Sequence, residues 1–188
     1  KYVKRVFNAQ NGLSLNYVIL YPENFNPEQK YPVLLFLHGS GERGNDNESQ
    51  LIHGGELMRT SDELANVIVI VPQCPLYASW TFTGGAYPEE SVENPVEAAT
   101  KELIDSFIKL GFADSQRIYG TGLSMGGMQT INIGLCECLD LISWFGAFSA
   151  APTSYTASQI SSKMFKLISL IGAKLLISIT SNFDKIIR

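Results

Sequence analysis

Gly120-Thr121-Gly122-Leu123-Ser124-Met125-Gly126-Gly127 is the stretch on which the interpretation of the whole sequence depends. It contains Gly-x-Ser-x-Gly, the spacing of a nucleophile elbow, in which a strand ends, a serine takes a strained backbone conformation and a helix begins at once. Both glycines are needed because side chains at their positions would collide with the neighbouring strand and helix. A β-like run, Arg117-Ile118-Tyr119, precedes the motif, and a helical stretch over residues 125–139 follows it. This context predicts a strand–turn–helix unit with Ser124 at its apex; the alternative is a glycine-rich turn with a bystander serine.

Other segments predict strands and helices that alternate along the chain. Residues 33–37 and 67–71 are apolar at every position, which is typical of strands in the middle of a sheet covered by helices on both faces. Before them, β-rich residues 2–7 and 13–21 flank an Asn-Gly pair and predict a hairpin. The remaining predicted elements are a helical or mixed segment over residues 50–65, an amphipathic helix over residues 95–110 with a buried stripe of Ala98, Leu103, Phe107 and Leu110, a strand over residues 144–148, a helix over residues 160–171 and a strand over residues 174–180. This alternation predicts an α/β fold with a mostly parallel sheet, in one domain over residues 1–188.

The composition limits the classes of partner. With 45% apolar and 17% charged residues, the sequence is that of an ordinary globular protein. A net charge of -4 argues against a nucleic-acid partner, because phosphate binding requires a basic face. No apolar run reaches the roughly 18 residues of a membrane span, so none is predicted. No signal peptide is recognised, but a leader could have been removed, and the compartment stays open.

The cysteines and histidines are too few for a metal site or a disulfide framework. Cys74, Cys136 and Cys138 are expected to be free thiols, and buried ones. With two histidines and no Cys-x-x-Cys pair, a zinc site is not expected. No cofactor is predicted.

A glycine-rich segment, His38-Gly39-Ser40-Gly41-Glu42-Arg43-Gly44, follows the first apolar strand directly. Acyl transfer needs two backbone N–H groups aimed at the developing oxyanion. One comes from the residue after the serine of an elbow, and the other from a glycine-rich loop after an earlier strand. This segment stands where that loop is expected, and a plain turn is the alternative. A long loop over residues 73–90 carries Trp80 and other aromatic residues, which either line a substrate site or form a hydrophobic plug beneath the loop.

With these residues in view, the sequence resembles the α/β-hydrolase superfamily. It is most similar to the esterase branch, which includes feruloyl and acetylxylan esterases, polyhydroxybutyrate-depolymerase-like enzymes and proteins labelled predicted peptidases. The motifs that carry the resemblance are His38 through Gly44, Gln50-Leu51-x-His53-Gly54-Gly55, Pro72-Gln73-Cys74-Pro75 with Trp80, and Arg117 through Gly127. They lie in the family's order between residues 31 and 152. The resemblance implies an α/β-hydrolase-type sheet, mostly parallel, with helices on both faces.

The resemblance also implies roles for individual residues. Ser124 would be the nucleophile, and the N–H groups of Ser40 and Met125 would form the oxyanion hole. Trp80 and His53, which lie in two of the matching motifs, would contact the substrate.

The acid and the histidine should follow the serine in the family's order. Asp184 stands where the acid is expected, although many relatives have His-Gly before it and this chain has Thr180-Ser181. His38 and His53 both precede Ser124, so no histidine stands where the family has one. We therefore expect either a C-terminally truncated domain, with its final strand and helix missing, or an interrupted gene. A third possibility is that His53 has been recruited as the catalytic base.

A truncated sheet would also affect assembly. The strand over residues 174–180 would be an exposed edge, and unpaired edges invite pairing with another chain. We therefore expect a homodimer through this edge, a complex with a separately supplied C-terminal piece, or a marginally soluble monomer.

Three functions stay open on the sequence. The first is a serine carboxylic-ester hydrolase, whose substrate would be a small-molecule ester or a feruloyl or acetyl ester on plant polysaccharide. The second is a peptidase of the prolyl-oligopeptidase type, and the third is a catalytically impaired remnant or binding protein, because the triad histidine is not found. Relatives that act on polysaccharide are usually exported, so the resemblance favours a secreted or periplasmic location.

Overall fold

The computed structural model describes residues 1–80, 94–135 and 144–148. Its elements are β1 Val3–Asn8, β2 Ser14–Leu20, β3 Tyr31–Leu37, β4 Ile68–Pro72, β5 Ala113–Leu123 and β6 Trp144–Phe148, with helices α1 Gly55–Thr60, α2 Pro95–Lys109 and α3 Met125–Leu135. The predicted helix over residues 160–171, the strand over residues 174–180, Asp184 and the thiols of Cys136 and Cys138 lie outside the described residues. The expectations about the sheet edge and its assembly therefore stay predictions.

The described strands form one sheet in the order β1-β2-β4-β3-β5-β6. β1 and β2 pair antiparallel, with Val3 opposite Ile19 and Asn8 opposite Ser14, which confirms the predicted hairpin. β2 also pairs antiparallel with β4, whereas β3 pairs parallel with both β4 and β5. β5 and β6 are parallel as well. The predicted mostly parallel sheet is confirmed, with the N-terminal hairpin as its antiparallel margin.

The core lies on both faces of the sheet, as the fully apolar runs predict. Leu35 of β3 and Ile70 of β4 belong to the cluster that contains the buried face of α2. Their neighbours Leu34 and Val69 belong to a second cluster, on the opposite face, which contains Met58 of α1. Successive side chains of a strand point to opposite faces, so a strand that is apolar at every position needs a cover on each.

α2 begins and ends as its sequence predicts, but its buried face differs. Asn94 caps it by accepting a hydrogen bond from Val96 N–H at 2.9 Å. Its buried residues are Val96, Ala99, Thr100, Leu103, Ile104 and Phe107. The prediction that Leu110 is buried was wrong, since it is 65% exposed; the helix ends at Lys109 and Leu110 is its C-cap. The prediction for Ala98 was wrong by one position, because Ala99 lies on the buried side and Ala98 is only half-buried.

Between β3 and β4 the chain forms short, mixed helical pieces, as predicted for residues 50–65. They are the 3-10 turns Ser49–Leu51 and Asp62–Leu64 on either side of α1. None of the described helices is both long and apolar enough to cross a membrane.

Candidate functional site

Ser124 occupies the turn between β5 and α3. Its φ is 50°, and Asn47 is the other described non-glycine residue with a positive φ. A left-handed backbone at such a residue costs about 1–3 kcal/mol and persists only where the surrounding structure imposes it. The strand runs to Leu123, three residues beyond the predicted end at Gly120, and α3 begins at Met125 as predicted. The strained strand–turn–helix geometry expected from the glycine spacing is therefore present.

The two glycines of the motif allow the elbow to pack against the end of β3. A Cβ atom at Gly122 would lie 2.5 Å from the backbone oxygen of Gly126 and 2.7 Å from that of Leu37. A Cβ atom at Gly126 would lie 2.0 Å from the Leu37 oxygen. These distances are far below van der Waals contact with backbone that cannot move aside. The glycines therefore set how closely Ser124 approaches the loop after β3.

That loop begins at His38, whose buried ring makes a hydrogen bond with each of its two nitrogens. Its Nδ1 lies 2.6 Å from the oxygen of Gly39, and its Nε2 accepts a hydrogen bond from Cys74 N–H at 2.9 Å. Burial lowers the pKa of His38 to about 4, so the ring is neutral at pH 7. With Nε2 as acceptor, the proton resides on Nδ1 and is donated to Gly39. His38 thus joins the ends of β3 and β4 and has no ring nitrogen left for another partner.

Trp80 strengthens this link between the ends of β3 and β4 by packing against His38 from the core. Its Nε1–H donates to the oxygen of His38 at 3.0 Å, and the two rings meet edge to face with centroids 5.2 Å apart. The Trp80 side chain is only 1% exposed. Between the two interpretations of this residue, its burial favours the hydrophobic plug over a substrate contact.

Gly39 is where the loop and the elbow meet. A Cβ atom at Gly39 would lie 3.7 Å from the Cβ of Ser124 and 2.9 Å from Oε2 of Glu42. The next residues form the 3-10 turn Ser40–Glu42. Arg43 holds this turn by donating to the oxygens of Ser40 at 2.9 Å and Ala78 at 3.0 Å. The structure therefore brings together Ser124 and the loop that was predicted to face it.

A group of hydrogen-bonded side chains fixes the rest of the loop, and sequence reasoning missed it. We call Asp46, Asn47, Gln50 and Gln73 the polar anchor. Gln73 accepts from Asn47 N–H at 2.8 Å and donates to Asp46 at 2.8 Å and to the backbone oxygen of Glu42 at 3.2 Å. Asn47 donates to the oxygen of Tyr17 at 3.1 Å, which ties the loop to β2.

Two further contacts complete the polar anchor. Gln50 donates to the side chain of Asn47 at 2.6 Å. The Ser49 hydroxyl, followed by the N–H groups of Ser49 and Glu48, holds the pKa of Asp46 well below its usual range. The signal available in the sequence was Asn47, since asparagine is one of the few residues that accept a positive φ.

His53 lies beside Glu42 at the outer side of the loop. Its Nε2 is 3.5 Å from Oε1 of Glu42, and its side chain is 42% exposed against 11% for Glu42. Asp184, the predicted acid, lies outside the described residues. Within residues 1–80, 94–135 and 144–148, no three histidine, cysteine, aspartate or glutamate side chains come together as a metal site.

Comparison with known proteins gives relatives in one family. No protein-family model matches the sequence. Endo-1,4-beta-xylanase Y from Acetivibrio thermocellus is 31% identical over 158 residues, which are 76% of this chain and 14% of that protein.

Solved structures match over more of this chain. A thermostable esterase superposes with a TM-score of 0.69 at 26% identity, over 98% of this chain and 52% of its own. A ferulic acid esterase gives 0.58 at 25%, over 80% of this chain and 60% of its own. An S-formylglutathione hydrolase from Staphylococcus aureus gives 0.58 at 17% over 97% and 75%, a likeness of fold alone. This chain thus spans about half the length of the thermostable esterase and a small part of the xylanase. It belongs to the α/β-hydrolase superfamily, in its esterase branch.

Proposed function

We propose that the chain carries the nucleophile and oxyanion hole of a serine carboxylic-ester hydrolase. The observation that carries this proposal is the left-handed Ser124 between β5 and α3, packed against Gly39 of the loop after β3. Ser124 is half-buried, so a ligand can reach its side chain. A strained serine next to a second, glycine-rich loop is the arrangement that acyl transfer needs.

In the proposed reaction, Ser124 Oγ attacks the carbonyl carbon of the ester and gives its proton to a base. The carbonyl oxygen becomes a negatively charged oxyanion. When this intermediate collapses, the bond to the alcohol breaks, the alcohol leaves with a proton, and the acyl group stays on Ser124. Water then attacks the acyl carbon, releases the acid and restores the serine hydroxyl.

We assign the oxyanion hole to the N–H groups of Met125 and Ser40. The first hydrogen bond of α3 joins Met128 N–H to the oxygen of Ser124 at 2.9 Å, so the N–H of Met125 precedes the helical ladder. The positive end of the helix dipole adds to its attraction for negative charge. Ser40 begins the 3-10 turn beside Gly39 and is exposed. Both donors therefore flank the point where Gly39 approaches Ser124.

His38 does not qualify as the base, because both of its ring nitrogens are already hydrogen-bonded. Asp184 remains the proposed acid from the resemblance, and His53 as the base remains an untested prediction.

For the substrate, we propose an ester on plant polysaccharide, with a feruloyl or acetyl group as its acyl half. Two relatives support this class by their names, a xylanase and a ferulic acid esterase.

Hydrolysis of defined esters tests the proposal. Methyl ferulate and acetylated xylotriose would be incubated with the wild type, with Ser124→Ala and with Ser115→Ala. Ser115 is an exposed serine on the same strand and serves as the matched control. We expect wild-type and Ser115→Ala chains to release acid at the same slow rate. Because a serine hydrolase that lacks its histidine gains little rate from its serine, Ser124→Ala should lose the covalently bound acyl group, detected by mass spectrometry, rather than much of this rate. An equal amount of bound acyl group in all three chains would contradict the assignment of Ser124.

A further inference from the structure

Glu42 has a carboxyl group that is largely buried and that no described residue hydrogen-bonds. The residue is 8% exposed, and its Oε2 is a buried atom without a hydrogen-bond partner among residues 1–80, 94–135 and 144–148. Burying a carboxyl oxygen without a donor is unfavourable, since water would otherwise satisfy it. A group of this kind in a loop beside a reactive serine needs a reason other than stability.

The neighbouring donors are committed elsewhere. Nδ1 of His38 is 3.9 Å from Oε2 of Glu42, but its proton is shared with the oxygen of Gly39. The guanidinium of Arg43 donates to two backbone oxygens. What remains is His53, whose Nε2 lies 3.5 Å from Oε1. Oε2 is closed to solvent beneath Gly39, so Oε1, on the side of His53, is the oxygen that a ligand can reach.

Glu42 and His53 face each other without a direct hydrogen bond. At 3.5 Å, the two polar atoms are farther apart than the roughly 2.7–3.2 Å of an N–H···O bond. A hydroxyl oxygen at the rim of this pair can lie at hydrogen-bond distance from both, donating to the carboxyl group and meeting the imidazole nitrogen. The His53 side chain is 42% exposed, so the pair opens toward the surface.

The pair also lies close to the proposed nucleophile. Oε2 of Glu42 and the Cβ of Ser124 are 2.9 Å and 3.7 Å from the same point, the place where a Cβ of Gly39 would be. A substrate bound to Ser124 therefore passes next to this carboxyl group. An acetyl group and the carbonyl of an ester offer it no donor, and a feruloyl group offers one phenolic hydroxyl at the end far from the carbonyl. The alcohol half of a sugar ester offers several hydroxyls close to the ester bond.

We propose that Glu42 and His53 form a hydroxyl-binding pair that recognises the carbohydrate alcohol half of the ester. This inference rests on the proposed function. A cationic ligand fits less well, because it would lie against the imidazole that already faces the carboxyl group. Glu42 and His53 are thus specificity-determining residues, and they act on the leaving alcohol rather than on the acyl group.

Two acetyl esters with different alcohols test the pair. We would measure kcat and KM for acetylated xylotriose and for p-nitrophenyl acetate with the wild type and Glu42→Gln. Glu48→Gln is the matched control, because its side chain is 71% exposed. We expect Glu42→Gln to lose about tenfold in kcat/KM on the xylotriose ester, mainly through KM, and to change little on p-nitrophenyl acetate. The control should resemble the wild type on both.

Other outcomes would overturn the inference. Equal losses on the two esters would mean that Glu42 only supports the loop. A larger loss on an acetylated lysine-containing peptide ester than on the xylotriose ester would indicate a cation site.

Binding of xylotriose to Ser124→Ala, with and without Glu42→Gln, separates this inference from the proposed function. If no ester is hydrolysed but Glu42→Gln abolishes xylotriose binding, the pair stands and the esterase assignment fails. If hydrolysis proceeds and xylotriose binding is absent or unaffected by Glu42→Gln, the hydroxyl-binding pair is ruled out and the esterase assignment stands.

Discussion

The elbow around Ser124 and the loop after β3 meet at Gly39, but different forces hold them. At the elbow, backbone packs on backbone, with glycines in place of any side chain that would intervene. In the loop, the ring of His38 and the polar anchor hold the backbone through side-chain hydrogen bonds. The elbow is therefore sensitive to added volume, whereas the loop is sensitive to the loss or protonation of a partner. The proposed site needs both, because Ser124 and Met125 lie on the elbow whereas Ser40 lies on the loop.

The largest loss of stability is expected at Gly126, where the elbow has no space for a side chain. Gly126→Ala places a Cβ atom 2.0 Å from the oxygen of Leu37, and we expect it to lower the free energy of unfolding by about 3 kcal/mol or more. Gly41→Ala is the matched control in the loop, since a Cβ atom there meets nothing within 4 Å. Urea unfolding of the two variants compares them, and similar midpoints would show that steric packing does not define the elbow.

A change of pH should affect the loop and spare the elbow. Residues 120–127 contain no titratable side chain, whereas burial lowers the pKa of His38 from 6.5 to about 4. The native state resists a proton that the unfolded chain accepts below pH 6.5, so stability from this group is full above that pH and is lost as the pH falls toward 4.

The expected loss for His38 is up to about 3 kcal/mol in the free energy of unfolding between pH 7 and pH 4. His38→Gln should be less stable at pH 7 and should flatten this part of the pH profile. Chemical denaturation at several pH values measures it. An unchanged slope in the variant would mean that another group causes the loss.

The smallest effect concerns strain at the apex of the elbow. Glycine accepts the φ of 50° that Ser124 adopts, so Ser124→Gly should raise the free energy of unfolding by about 1 kcal/mol. Ser115→Gly, in the irregular part of β5 but with a φ that is not positive, should lower it by about 0.5–1 kcal/mol. Thermal unfolding measures both variants, and changes of opposite sign in the free energy of unfolding would show that the apex is strained and the strand is not. Destabilisation by both would indicate that Ser124 carries no strain.

The sequence predicted the parts of this site that backbone geometry controls. The Gly-x-Ser-x-Gly spacing encodes a steric requirement between fixed atoms, so the turn at Ser124 and the start of α3 could be predicted. The apolar runs likewise predicted β3 and β4, because burial on both faces leaves a continuous hydrophobic signal.

Side-chain hydrogen bonds were not predictable in the same way. Gln73 lies 26 residues from Asn47 along the chain, and nothing local in either segment indicates that they bond. Trp80 and His53 lie in comparable motifs, yet one is buried against His38 and the other stands half-exposed beside Glu42. Burial of a single polar or aromatic residue depends on the tertiary partner, which spacing does not specify.

Covalent labelling tests the central claim most directly, namely that the strained elbow presents Ser124 as a nucleophile. The chain would be treated with a fluorophosphonate, digested and mapped by mass spectrometry, alongside Ser124→Ala and Ser115→Ala. The account predicts one adduct, on the peptide that contains Ser124, in the wild type and in Ser115→Ala, and none in Ser124→Ala. An adduct on a different serine, or equal labelling of Ser124→Ala, would contradict it.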